Sequence, residues 1–584
     1  MIQSILSIVK ERKVVFMRKL SIFVVVLILV LSVSVVLGQA TTTTYPQPSE
    51  YGPGILNWGS NVKYGGTYTF LNTAPYSYSL NPFSTVALPS VGLIYEPLMY
   101  MSPDGNVTYL LATSYKWIND TTLETTIRKN VRWTDGVPFT PEDVVFTFNY
   151  VKEHPSIDTN AIWASTNHLQ SVSASGDNVY FKFTQPSYAA LPYIISQQIV
   201  PEHIWSKITD PSKDVNLNPI GTGPFIFKSF NQANQVAEYV KNPNYWMEGR
   251  PYVDKVIMKG TFGGNEAATL ALIKHEGDVA QIYIPDIGKA YVDKDPQNNK
   301  FWWPVMGNNY LITNDTEYPF SIPEFRKALS MAMDRQFIVL SDYGKDLQNY
   351  ENPTMIPLPQ ISWMDPTLTS LASSLVAYNP KGAQELLASI GFKKNAQGLL
   401  TGPDGKVLPA YTIKVVAGWT DWITGAQILV DEFKEIGLRV SVDQESFGAF
   451  YSDLQNGNFD MTVVGYYATT PNPYAMYFSA LSSDQTAPIG KPAIGNFCRY
   501  TNPLIDDALN VFNSYSNPRI QRQAIYTIER IVLDDMPIIP FLPGPFWYEY
   551  QTQTLTGFPN AEHPYTYVLA GIPQELIALN VHLK

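Results

Sequence analysis

The chain has 584 residues, too many for one hydrophobic core, so two or three domains are expected. Hydrophobic residues make up 45% and charged residues 16%, the balance of a globular protein with a large core and a lightly charged surface. A net charge of −11 gives no encouragement to nucleic-acid binding, which requires a basic face. The single cysteine, Cys498, excludes an internal disulfide and a thiolate-rich metal site.

Arg18 and Lys19 precede an almost unbroken apolar run from Leu20 to Leu37. Gly38-Gln39-Ala40 follows, with the small residues a signal peptidase requires. Residues 1–40 read as a signal peptide, with Met17 an alternative start. The run is also long enough to span a bilayer, so a retained membrane anchor is the rival reading. Either way the bulk of the chain lies outside the cytoplasm, at the cell surface or in a periplasm. Residues 41–63, opening on Thr41–Thr44, Pro46 and Pro48, read as a polar tether.

Tyr64–Asn72 is a turn followed by an alternating strand, and Asn72 and Thr73 enter a loop. Thr122–Arg132 alternates short polar and apolar residues, as a half-buried strand does. Asp135-Gly136 makes a turn. Thr140 is the N-cap of a helix, Pro141 its first residue and Asp143 its capping acid. Val144, Val145, Phe148 and Val151 form the buried stripe. Glu142 and Asp143 have the chemistry of an acid/base pair, but acids in a first helical turn are explained by the helix itself.

Pro219–Phe225 is glycine-rich but runs into a strand, not the helix that phosphate binding needs. Ser321-Ile-Pro-Glu324 is a capping-box helix start. Tyr411–Val442 reads as strand, helix and strand, a right-handed crossover joining a parallel pair. Its first loop, Gly418–Thr424, carries Trp419 and Trp422 at the carboxyl end of a strand, where open α/β sheets place ligands. Tyr466 and Tyr467 end the next strand. No histidine pair has metal-ligand spacing and no Gly-x-Ser-x-Gly elbow occurs.

Leu111-Ala-Thr-Ser114, a strand ending in Arg132, then Trp133-Thr-Asp-Gly-Val-Pro-Phe-Thr-Pro-Glu-Asp-Val144 and an aromatic helix form one composite pattern. It resembles the signature region of the large extracytoplasmic solute-binding proteins of ABC importers, the peptide and nickel-binding family (family 5). Gly221-Thr-Gly-Pro-Phe225, Asn242-Pro-Asn-Tyr-Trp246, Arg326–Leu329, Met333-Asp-Arg335 and Met536–Phe541 are similar to later segments of that family, so the likeness covers about Tyr64 to Tyr567. It implies an α/β, two-lobed fold of periplasmic-binding-protein type (class II, large three-domain variant) with a hinge between the lobes. Lobe I would comprise 64–91, 202–312 and 541–584, its accessory domain 92–201, and lobe II 313–540.

The resemblance also implies binding without turnover, in a monomer that hands its ligand to a membrane permease driven by separate ATPases. No cofactor, nucleotide or metal is then expected. Peptide binders of this family carry an aspartate shortly after the strand corresponding to Asp460–Tyr467; here Tyr466–Pro473 has no acid. An ammonium without a partner is costly in a dry cleft. Aromatic loops instead suit sugar rings, and Asn496–Tyr500 and Trp547–Pro559 resemble the cello-oligosaccharide-binding branch. The expectation is therefore a β-linked, cellobiose-like oligosaccharide stacked on Trp363, Trp419, Trp422, Tyr466, Tyr467 and Trp547. Asn72 and Thr73 would bond its hydroxyls from the other lobe. An oligopeptide ligand is the alternative, and a secreted glycoside hydrolase, which needs only two carboxylates, the distant one.

Overall fold

Two sheets carry the architecture, and the chain passes between them twice. The computed structural model describes residues 47–72, 78–84, 88–260, 264–344, 347, 352–567 and 572–584. The predicted signal peptide or anchor and Thr41–Thr44 lie outside the described residues. Among the described residues no helix is long and apolar enough to cross a membrane.

Seven strands form the first sheet, in the order Phe225–Asn231, Val236–Lys241, Lys255–Gly260, Thr67–Asn72, Val279–Ala280, Glu549–Gln551 and Asn299–Phe301. Thr67–Asn72 runs parallel to both neighbours, and its alternation buries Tyr68 and Phe70. The stretch read as a tether is folded where it is described, from Gln47 onward. Gly52–Asn57 is a strand with Ile55 and Leu56 buried. The Leu56 N–H donates to Asn580 Oδ1 at 2.8 Å, and Asn580 Nδ2 donates to the Gly54 carbonyl at 2.8 Å. Composition misleads here because the strand's apolar residues pack on the C-terminal helix Ile572–Asn580, far away in sequence.

A separate antiparallel sheet orders Ala112–Asn119, Thr122–Ile127, Asn178–Phe183 and Leu169–Ser175. The expected strand to Arg132 ends at Ile127, and the helix spans Pro141–Glu153 with Val144, Phe148 and Val151 buried. Asp143 is spent on structure. Its Oδ2 accepts from the Thr140 N–H at 2.9 Å and the Trp133 indole at 3.3 Å, and its Oδ1 accepts from the Glu202 N–H at 3.1 Å. The Trp-x-Asp-Gly…Thr-Pro-Glu-Asp pattern is thus a cap that also ties down the short helix Glu202–Trp205. In the glycine-rich segment the Gly223 N–H bonds the Ile94 carbonyl at 2.9 Å, and a strand follows.

The second sheet orders Val440–Glu445, Tyr411–Val416, Met461–Tyr467, Val305–Thr313 and Ile538–Pro545. The predicted crossover is present: 411–416 and 440–445 pair in parallel around the helix Thr420–Glu435. The helix starts sooner than the loop reading allowed, so Trp422 stands in its first turn. Pro540, Pro543 and Pro545 are tolerated because 538–545 is an edge strand. The helix Pro323–Met331 has Ile322, not Ser321, at its N-cap and no side-chain cap. Buried Arg326 donates to the Met536 carbonyl at 2.9 Å and buried Arg335 to the Pro540 carbonyl at 2.7 Å, anchoring the returning segment.

The chain leaves the seven-stranded sheet through 302–304 and returns to it through 546–548. The expected boundaries at 312/313 and 540/541 therefore fall at the end of one strand and inside another. Val305–Thr313 bonds to strands on both sides within the five-stranded sheet. We propose that the lobes divide at the two crossings.

Replacing Asp143 by Ala strands three donors that it now satisfies. The expected loss is about 2–4 kcal/mol, read from guanidinium unfolding followed by tryptophan fluorescence, with Asp143→Asn intermediate. An unchanged unfolding midpoint would refute the tie.

Candidate functional site

A cavity of ≈ 460 Å³ lies between the two sheets, beside the second crossing. The seven-stranded side supplies Asn265, at the start of the helix Gly264–Ile273, and Gln281, Ile282 and Tyr283, which continue the strand 279–280. The five-stranded side supplies Asn309, Tyr467 and Thr469, with Trp419, Asp421 and Trp422 from the loop and helix after 411–416. Pro545, Phe546 and Trp547 come from the crossing. Of the residues named from sequence, Trp419, Trp422, Tyr467 and Trp547 line this wall.

Tyr466 does not. Successive strand residues face opposite sides, and Tyr466 is buried against Tyr310, with ring centroids 5.9 Å apart. Its neighbour Tyr467 lies in a slot made of glycines. A Cβ built on Gly544 would sit 2.5 Å from the Tyr467 ring, and one on Gly465 2.2 Å from its hydroxyl. The Tyr467 hydroxyl donates to Asn309 Oδ1 at 2.7 Å, which fixes the ring.

Trp363 is also elsewhere. It packs on Phe512 at 5.8 Å, and the Arg522 guanidinium covers it at 4.7 Å in a cation–π contact, so two distant helices, Pro503–Ser514 and Pro518–Asp535, hold the ring. Asn72 ends its strand opposite Gly260, beside the strand that runs on into Gln281; its side chain and all of Thr73 lie outside the described residues. Trp419 and Trp422 meet edge to face at 4.6 Å, and Trp547 meets Trp303 at 4.8 Å and Tyr283 at 5.2 Å.

Asp421 is not legible in the sequence as a wall residue: the acid that the resemblance leads one to expect falls shortly after the 460–467 segment, whereas this one comes from the neighbouring helix. Burial raises its carboxyl to about 6, while hydrogen bonds from the Trp422 backbone and the Tyr343 hydroxyl work the other way. Asp342, behind it, is pushed to about 8 by burial and by the charge of Asp421. The Tyr283 hydroxyl donates to the Asp342 carbonyl, a bond from one side of the cavity to the other. Among the described residues no cluster of His, Cys, Asp or Glu could hold a metal ion.

The crossings that bound the cavity are paired. The Trp302 N–H donates to the Tyr548 carbonyl at 2.8 Å and the Phe546 N–H to the Pro304 carbonyl at 2.9 Å. Glu549 is fully buried beside them, accepting from the Trp303 indole and, at 3.1 Å, from the Ile282 N–H. Burial raises its carboxyl from 4.5 to about 8 despite those bonds.

Two outcomes follow. Gly544→Ala should tip Tyr467 out of its slot, costing about 1–3 kcal/mol and changing the near-ultraviolet circular dichroism while the far-ultraviolet spectrum persists. An unchanged near-ultraviolet spectrum would refute the slot. For Glu549 the native state holds its proton more tightly than the unfolded chain does. The stabilisation is full below pH 4.5 and is lost as pH rises towards about 8. Stability of the wild type should therefore fall across that window more steeply than that of Glu549→Gln, by up to about 1.4 kcal/mol per pH unit. Equal slopes in denaturant unfolding would show that Glu549 does not titrate there.

Known proteins share this architecture. The chain is similar to the oligopeptide-binding protein AppA of Bacillus subtilis, 27% identical over 80% of this chain and 83% of that one. It is similar to the mannohexaose-bound periplasmic oligopeptide-binding protein of an oligopeptide ABC transporter from Thermotoga maritima, with a TM-score of 0.78 at 25% identity over 90% of this chain and 99% of that one. The structure of B. subtilis AppA with a nonapeptide shares the fold, with a TM-score of 0.70 at 23% identity over 90% and 100% of the two chains. Residues 106–488 match the model of the bacterial extracellular solute-binding proteins, family 5, middle region, and the chain belongs to that family.

Proposed function

We propose that the protein is the extracytoplasmic binding component of an ABC importer and takes a neutral, β-linked, cellobiose-like oligosaccharide into the cavity between its lobes. Closure about the paired crossings buries the ligand, and the closed form is what the membrane permease receives. The observation that carries this reading is the make-up of the wall. Tyr283, Trp419, Trp422, Tyr467, Phe546 and Trp547 give ring faces, and Asn265, Gln281, Asn309 and Thr469 give neutral hydrogen-bonding groups. Among the described lining residues there is one carboxylate, Asp421, and no cation. A free peptide brings an ammonium and a carboxylate, and the second would be buried here without a partner. A sugar brings neither, and a carboxylate accepts hydroxyl hydrogen bonds strongly. The mannohexaose-bound relative supports a sugar in such a cleft.

Oligopeptide binding is the second reading. Asp421 favours it, since it supplies the acid that Tyr466–Pro473 lacks, and AppA bears an oligopeptide-binding name. Hydrolysis is disfavoured, because glycosidases flank the scissile bond with two carboxyl groups and the described wall has one.

Intrinsic tryptophan fluorescence titrated with cellobiose, longer β-glucans and di- to pentapeptides tests the reading. Saturable quenching or enhancement is expected with glucans, which are recovered intact. Asp421→Asn should weaken glucan binding by about tenfold or less, the worth of one charge-assisted hydrogen bond. A response to peptides alone, abolished by Asp421→Asn, would transfer the assignment to peptides.

A further inference from the structure

The aromatic surface does not stop at the cavity. Trp422 is buried in the wall, while Trp419, in contact with it, is 41% exposed. Phe447 lies 5.9 Å from Trp419 and is 57% exposed. Tyr451 lies 5.9 Å further on, its ring within 12° of the Phe447 plane, and is 41% exposed. The topology explains why these rings meet. Strands 411–416 and 440–445 are parallel, so the segments after them leave the sheet at the same edge. One delivers Trp419, and the other opens the helix Phe447–Asn456. Phe447 and Tyr451 are four residues apart on that helix and share a face. A bare i,i+4 pair would mean little. A contiguous run of three exposed rings that begins in a ligand-cavity wall is a different object, because large apolar rings are costly to leave wet.

We propose that Trp419, Phe447 and Tyr451 form an outer platform on which further rings of a long saccharide lie once its first residues fill the cavity. This rests on the saccharide reading above. Successive centroid steps of 5.9 Å are of the size of one sugar residue, so a chain leaving the cavity past Trp422 meets a new ring face at about each unit. The platform makes the protein a binder of extended chains, with the cavity setting the identity of the terminal units and the platform rewarding length.

Isothermal titration of the full-length protein with cellobiose, cellotetraose and cellohexaose tests this, on the wild type and on Phe447→Ser/Tyr451→Ser. Both positions are exposed, and an unchanged thermal midpoint certifies the fold of the variant. The wild type should bind cellohexaose more tightly than cellobiose. The double variant should lose about tenfold for cellohexaose, stay within twofold for cellobiose, and regain length dependence when Phe447 is replaced by Trp instead. If cellobiose binds and the length dependence is the same in the double variant, the platform is overturned and the cavity reading stands. If no glucan of any length binds the wild type, both are overturned.

Discussion

Two short segments, Trp302-Trp-Pro304 and Phe546-Trp-Tyr548, join the two large sheets, bonded to each other at both ends through backbone groups. Each crossing alone would be a flexible tether. Paired, they make a narrow two-stranded ribbon between the sheets. The cavity sits beside this ribbon, where residues from both sheets approach the same space. Trp547 enters the wall because the ribbon carries it there. Buried Glu549 holds the Trp303 indole and the Ile282 backbone, so ribbon and wall are fixed by one carboxyl group.

The wall itself is an exercise in strand parity. Tyr466 and Tyr467 are neighbours of the same chemistry, yet one packs into the core of its lobe and the other faces the cavity. The difference is set by the partner strands. Gly307 and Gly544 lie across from and beyond Tyr467, and their missing side chains leave room for its ring to lie flat. Asn309, on the same face, completes the slot by accepting the Tyr467 hydroxyl.

The fold leaves the ligand open, as folds generally do. Proteins of the same architecture hold a nonapeptide in one case and mannohexaose in another. The charge inside the cavity is set by very few side chains. Asp421 is one of them. Its effect depends on its position in the first turn of a long helix, beside Tyr343 and in front of Asp342, none of which is close to the 466–473 segment in sequence.

Local pattern determined a good deal. The capping arrangement of Thr140 and Asp143, the parallel crossover over 411–445 and the cavity-facing edge of that unit follow from neighbours a few residues apart, and such short-range chemistry is written in the sequence itself. The family was legible for the same reason, since its motifs are turns and caps. Tertiary structure decided the rest. The strand at 52–57 is buried because a helix more than 500 residues later packs on it and bonds its backbone. The place where the chain crosses between the sheets, the partial burial of Trp363 under Arg522, the inward turn of Tyr467 and the presence of Asp421 in the wall depend on which distant strand or helix lies alongside. Composition and spacing carry no record of such pairings, because they are chosen by packing between segments rather than within them.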